Sequence, residues 1–151
     1  MFSKPSSLIL LICLSPLFII VFLIIIVDDG LPIFFKQKRV GLNNVHFWIY
    51  KFRTMKNDTP DIPTHLVKDG KSYYTGIGLF LRNFSLDELP QLINIMKGDM
   101  TFIGPRPALY NQDDLIELRT QAGLHSLLPG VTGWAQVNGR DELSIPDKVK
   151  M

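Results

Sequence analysis

Leu8 to Val27 reads LILLICLSPLFIIVFLIIIV. These twenty residues carry no charge, and only Ser15 among them is polar. About twenty consecutive apolar residues match the hydrocarbon thickness of a bilayer. A helix packed in a soluble core would keep a polar stripe, and this stretch has none. A cleaved signal peptide fits less well, because Asp28-Asp29 follows the run with no small-residue cleavage site. Ser15-Pro16 divides the run. Proline removes a backbone donor and clashes with the carbonyl four residues earlier. Two readings follow: a kinked helix that spans the membrane, or a helix-break-helix that enters one leaflet and returns. In either, the Ser15 hydroxyl is placed to satisfy a carbonyl freed by the proline.

Working outward, the next charged segment is one-signed. Between residues 36 and 56 stand Lys36, Lys38, Arg39, Lys51, Arg53 and Lys56, with no acid, so the stretch carries +6. Basic flanks remain cytoplasmic and sit against anionic headgroups, which predicts a cytoplasmic body. The whole chain has 151 residues, with 16 Lys+Arg against 14 Asp+Glu, a net charge of +2. That balance excludes nucleic-acid binding by bulk charge. The single cysteine, Cys13, excludes an internal disulfide and a cysteine zinc site. His46, His65 and His125 lack metal-ligand spacing, so a metal site would draw on carboxylates.

The body reads as a small α+β unit. Ile33–Phe35 and Val45–Phe52 are β-like, with turn residues Gly41 to Asn44 between them. Residues 57–72 are polar, hold two prolines and read as a loop. Leu89, Leu92, Ile93 and Met96 recur at helical spacing, and Gly98 ends the pattern. Met100–Ile103 is a short apolar segment. A further helix is expected over about 111–122, followed by a glycine-rich tail.

Four clusters have chemical potential. Asp87-Glu88 stands just before Pro90, a residue tolerated in a first helical turn. Taken alone, the pair reads as a helix cap. An ionised Asp there also suits a nucleophile toward phosphorus or a Mg²⁺ ligand. In Gly104-Pro105-Arg106-Pro107, two prolines stiffen the backbone around one Arg, which suits a phosphate clamp or simply a rigid loop. Lys51-Phe52-Arg53-Thr54-Met55 reads as a solvated basic strand face. Pro129 to Arg140 (PGVTGWAQVNGR) suits either nucleotide or sugar recognition or a packed turn region.

The order of these blocks resembles the bacterial sugar transferases, the small monotopic polyprenyl-phosphate phosphoglycosyl transferases. The resemblance runs through FKQKRVG (35–41), YKFRTM (50–55), LDELPQL (86–92), KGDM (97–100), GPRP (104–107) and Pro129 to Arg140. Such blocks in one order are specific where each alone is weak. The resemblance implies transfer of sugar-1-phosphate from a UDP-sugar to undecaprenyl phosphate, with release of UMP, to start a surface glycan at the bacterial inner membrane. It implies that Asp87 is the nucleophile and a Mg²⁺ ligand, and that Glu88 assists as a base or through the metal. Arg53, Arg82, Arg106 and Arg140 would hold phosphates. The Ser15-Pro16 break would make residues 1–30 a reentrant membrane helix and 31–151 a cytoplasmic catalytic domain. Since the family's domain continues past the Asn-Gly-Arg block, truncation at the C-terminus is expected. The alternatives are a non-catalytic membrane-bound fragment or polyprenyl-phosphate-binding module, and a UDP-sugar hydrolase.

Overall fold

The computed structural model describes residues 3–57, 59, 73–139 and 143–150. The apolar run forms two helices, α1 (Ser3–Cys13) and α2 (Ser15–Asp29), bent by 62° at the break. Pro16 lies at the start of α2, where its missing N–H does no harm. The carbonyl that Pro16 leaves unbonded is that of Ile12, and the Ser15 hydroxyl donates to it at 2.7 Å. Neither helix is by itself long and apolar enough to cross a membrane. Large apolar side chains stay exposed along both, from Ile9 and Ile12 to Ile19, Leu23 and Val27.

One face of α2 is buried. Val21 and Ile25 form a core cluster with Ile33, Phe52 and Leu81. Phe52 stacks on Phe34 at 5.5 Å and tilts against Phe18 at 5.3 Å. Burial of such a ring contributes about 2–3 kcal/mol. Phe52 thus joins α2 to the body.

Strands β1 (Phe34–Val40) and β2 (His46–Phe52) pair antiparallel, Phe34 opposite Phe52 and Val40 opposite His46. The first strand runs further than its apolar start, through exposed Lys36 and half-buried Gln37, Lys38 and Arg39 to buried Val40. Asn43 and Asn44 adopt left-handed conformations in the connection, which asparagine tolerates. Helix α3 (Gly78–Asn83) leads to a 3₁₀ turn, Leu86–Glu88, and to α4 (Gln91–Lys97), ended by left-handed Gly98. In α4 the buried side is Gln91, Leu92, Asn94 and Ile95, whereas Met96 is exposed. The apolar spacing had put Met96 inside. The structure instead buries Asn94, whose amide completes the outer edge of β2. Its Oδ1 accepts from the Tyr50 N–H at 3.1 Å, and its Nδ2 donates to the Trp48 carbonyl at 2.7 Å.

Strands β3 (Thr101–Ile103) and β4 (Gly130–Thr132) form a separate parallel pair. Gly104 and Gly130 approach so closely that a Cβ on either would strike the other's backbone. Between these strands lies α5 (Asp113–Gln121), whose Leu115 packs with Val40 and Ala108. Two short helices follow, α6 (Trp134–Val137) and α7 (Ile145–Lys150). The architecture is α+β, as the sequence pattern indicated.

Candidate active site

Asp87 and Glu88 occupy the 3₁₀ turn before α4, and both are buried. Ser85 sets the turn by adopting a left-handed conformation, φ 56°, at a cost of about 1–2 kcal/mol. Leu86 and Leu89 anchor it in the core beside α2. The cap reading of the two acids fails: α4 starts at Gln91 after Pro90, with no side-chain cap bond. The pair turns toward β2 instead. Lys51 Nζ donates to Glu88 Oε1 at 2.7 Å and lies 3.9 Å from Asp87 Oδ2. Arg106 Nη2 reaches the same Glu88 oxygen at 3.2 Å.

The two carboxylates differ electrostatically. Burial pushes the Asp87 carboxyl above its ordinary value; Lys51 and Arg82 pull it down, and Glu88 adds to the rise. Burial pushes Glu88 up as well, yet the charges and hydrogen bonds of Lys51 and Arg106 override this and hold it at about 2. Desolvation lowers the Lys51 ammonium, and Glu88 works against that shift.

A cavity of about 1000 Å³ opens beside the pair, with Asp87, Lys51, Arg82 and Arg106 in its wall. Phe34 and Arg39 also line it. They are five residues apart on β1, about 17 Å at the rise of a strand. The cavity therefore runs from the end of α2 out along the hairpin. The acidic pair sits toward the α2 end, since Lys51 pairs with Phe35 and adjoins Phe52.

The expected phosphate ligands divide. Arg106 and Arg82 line the cavity as anticipated; Arg82 also stacks its guanidinium over Tyr74. Arg53 stands in the same wall, and its guanidinium is also engaged by the end of α2. Its guanidinium is buried against the Asp29 carboxylate at 3.1 Å, the carbonyls of Asp29 and Gly30, and Asn57. It ties the C-terminal end of α2 to the sheet, where a cation is favoured by the helix dipole. Arg140 lies outside the described residues, as does most of the 57–72 loop.

Lys51 reads in the sequence as a solvated basic residue, and the structure buries it beside two acids. A strand pattern shows which face a lysine takes but not what packs over that face. Arg119 went unnoticed in the sequence, although it stands four residues after buried Leu115 on the same face of α5. In the Pro129–Arg140 block the packed-turn reading holds for Gly130 and Gly133, which lie against Gly104, while Trp134 and Gln136 line the cavity.

Among the described residues no group of three or more His, Cys, Asp or Glu side chains converges on one point. Mg²⁺ does not require one, because it is commonly held by one or two carboxylates together with substrate phosphates and water. Asp87 fits that role better than Glu88, whose Oε1 already accepts from two cations.

The family model for bacterial sugar transferases matches residues 1–151. The sugar transferase EpsL of Bacillus subtilis (strain 168) is 40% identical over 153 residues, covering 100% of this chain and 73% of that protein. An undecaprenyl-phosphate glucose phosphotransferase of Komagataeibacter xylinus is 39% identical over 97% of this chain, which spans 29% of that relative. A UDP-glucose:undecaprenyl-phosphate glucose-1-phosphate transferase of Escherichia coli (strain K12) is 35% identical over 93% of the chain and 31% of its own length. With Asp87 and the Pro-Arg-Pro loop in the wall of one cavity, and the family model matching from end to end, the chain belongs to the bacterial sugar transferase family.

Proposed function

We propose that the protein moves a sugar-1-phosphate from a UDP-sugar to undecaprenyl phosphate, releasing UMP and starting a membrane-linked surface glycan. The observation that carries this reading is the position of Asp87. It is a buried carboxylate in the wall of a cation-lined cavity, and Phe52 in the same wall packs against Val21 and Ile25 of α2. A lipid phosphate must be met at headgroup depth, and a nucleotide donor must reach the same place from water.

The chemistry follows from the residues. The Asp87 carboxylate attacks the β-phosphorus of the UDP-sugar. The bond from that phosphorus to the oxygen bridging to the α-phosphorus breaks, and UMP leaves with the electron pair. A phosphate oxygen of the lipid then attacks the same phosphorus, displaces the Asp87 carboxylate and restores it. Burial makes Asp87 more basic than a surface aspartate and so a better nucleophile. Arg106, Arg82 and Lys51 face the negative charge that gathers on the transferring phosphate. A carboxyl held at about 2 is a weak base, so Glu88 serves by fixing Lys51 and Arg106. Bound Mg²⁺, held through Asp87, would supply further neutralisation of the diphosphate.

The test is UMP release by the membrane-bound chain with UDP-glucose and UDP-N-acetylgalactosamine, with undecaprenyl phosphate and Mg²⁺. Release from at least one donor that needs the lipid and stops with EDTA is expected. Release unchanged without lipid would make the protein a hydrolase, and lipid binding without any release would make it a binding module.

We also propose that α1 and α2 form a reentrant hairpin, with the catalytic body on the cytoplasmic face of the inner membrane. The 62° bend and the exposed apolar side chains on both helices support this. In a Cys13→Ser background, Lys4→Cys and Leu31→Cys should both resist an impermeant maleimide added to intact cells. Both should react once the inner membrane is permeabilised. Labelling of Lys4→Cys from outside would establish a spanning helix instead.

A further inference from the structure

Arg106 projects into the cavity from a loop in which the four carbonyls from Pro105 to Ala108 have donors. The Pro105 carbonyl accepts from the Gly130 N–H at 3.0 Å, and the Ala108 carbonyl from the Val40 N–H at 3.0 Å. The two between them are held by side chains. Arg119 Nη1 donates to the Arg106 carbonyl at 2.7 Å, and Arg39 Nη1 donates to the Pro107 carbonyl at 3.1 Å. Both prolines have fixed φ and no N–H, and a residue before proline is itself restricted. What remains free is the tilt of the peptide plane after Arg106, which determines where its Cβ points. Arg119 grips that plane.

On the reading of Arg106 as a phosphate ligand, we infer that Arg119 is a positioning residue that aims the Arg106 guanidinium at Glu88 and the cavity. Stability alone does not account for its surroundings. Its Nε is buried without a hydrogen-bond partner, and no carboxylate pairs with it among the described residues. Burial lowers its pKa, the mark of a desolvated cation. A desolvated guanidinium whose bond goes to one backbone carbonyl is a weak source of stability. The same bond is well suited to holding one peptide plane. Arg119 comes from α5 and Arg39 from β1, so the loop is gripped from two separate elements.

A double-mutant cycle separates aiming from a general structural role. Arg119→Met should slow UMP release by on the order of 10- to 100-fold in the parent, because a misplaced phosphate ligand costs that much. In an Arg106→Ala background the same change should slow it by less than about twofold, since nothing remains to aim. Equal slowing in both backgrounds overturns the inference. If Arg119→Met does not fold, Arg119→Lys goes through the same cycle: slowing confined to the chain that has Arg106 supports aiming, and equal slowing or none overturns it. A readout independent of catalysis is the ¹⁵N relaxation of the Arg106 side chain in micelles. It should report a rigid Nε in the parent and a mobile one in the Arg119 variant, and unchanged relaxation overturns aiming. A parent that is rigid at Arg106 but releases no UMP would defeat the transferase reading while leaving this one standing.

Discussion

Asp87→Asn should reduce UMP release at least about a thousandfold, the scale on which loss of a covalent nucleophile is felt. The side chain keeps its size and its place in the 3₁₀ turn, so the fold has little reason to change. What disappears is the anionic oxygen that attacks phosphorus. The amide also cannot form an acyl phosphate. Two measurements follow. Steady-state UMP release should fall to background, and incubation with radiolabelled UDP-sugar should label the parent but not the variant. The label should be removed by hydroxylamine, which cleaves acyl phosphates. A variant that releases UMP at the parental rate would show that Asp87 is not the nucleophile and that direct transfer to the lipid occurs.

Lys51→Met should have the second largest effect, and on two observables. Lys51 stands 2.7 Å from Glu88 and 3.9 Å from Asp87, and its side chain is 15% exposed. Removing it leaves two buried carboxylates with less compensation, a class of change that costs about 3–5 kcal/mol. The Lys51 contribution to Glu88 has a definite pH window. A carboxyl lowered from 4.5 to about 2 stabilises the fold above the ordinary value and loses that contribution as pH falls toward 2. For Asp87 the sign is the reverse. Burial raises it and Lys51 lowers it, so loss of Lys51 raises it further. The acid limb of the pH–rate profile should therefore move to higher pH in the variant. The limiting rate should drop by on the order of 10²-fold, through loss of a cation facing the transferring phosphate. Lys51→Arg should restore part of both. An acid limb at the parental pH in Lys51→Met would show that this lysine does not set the charge of the nucleophile.

Much of this site was legible in the residues. Asp87-Glu88 and the Pro-Arg-Pro loop stand out in the residues and Arg82 through the family resemblance, and the structure puts Asp87, Arg82 and Arg106 in the wall of one cavity. Arg53 shows where reading along the chain stops. Its guanidinium looks like a phosphate ligand because the chemistry of a free Arg is the same everywhere. Its partner, Asp29, is 24 residues earlier, and only the return of α2 to the sheet brings them together. Met96 and Asn94 exchange places for a similar reason. Helical spacing ranks positions by hydrophobicity, whereas burial of Asn94 depends on two unpaired backbone groups of β2 that its amide happens to match.

The sequence by itself determined the apolar helices, their break at Ser15-Pro16, the two-strand hairpin and the family. Each is a local property: a run of side chains, a missing N–H, an alternation, or an ordered set of short blocks. Only the tertiary structure decided which cations serve the acidic pair. Lys51 was drawn in from an ordinary basic strand, Arg53 was tied to Asp29 at the edge of the same cavity, and Arg119 was set behind Arg106. Such assignments depend on distances across the fold and on how much water each charge loses. Neither quantity exists until the elements have packed.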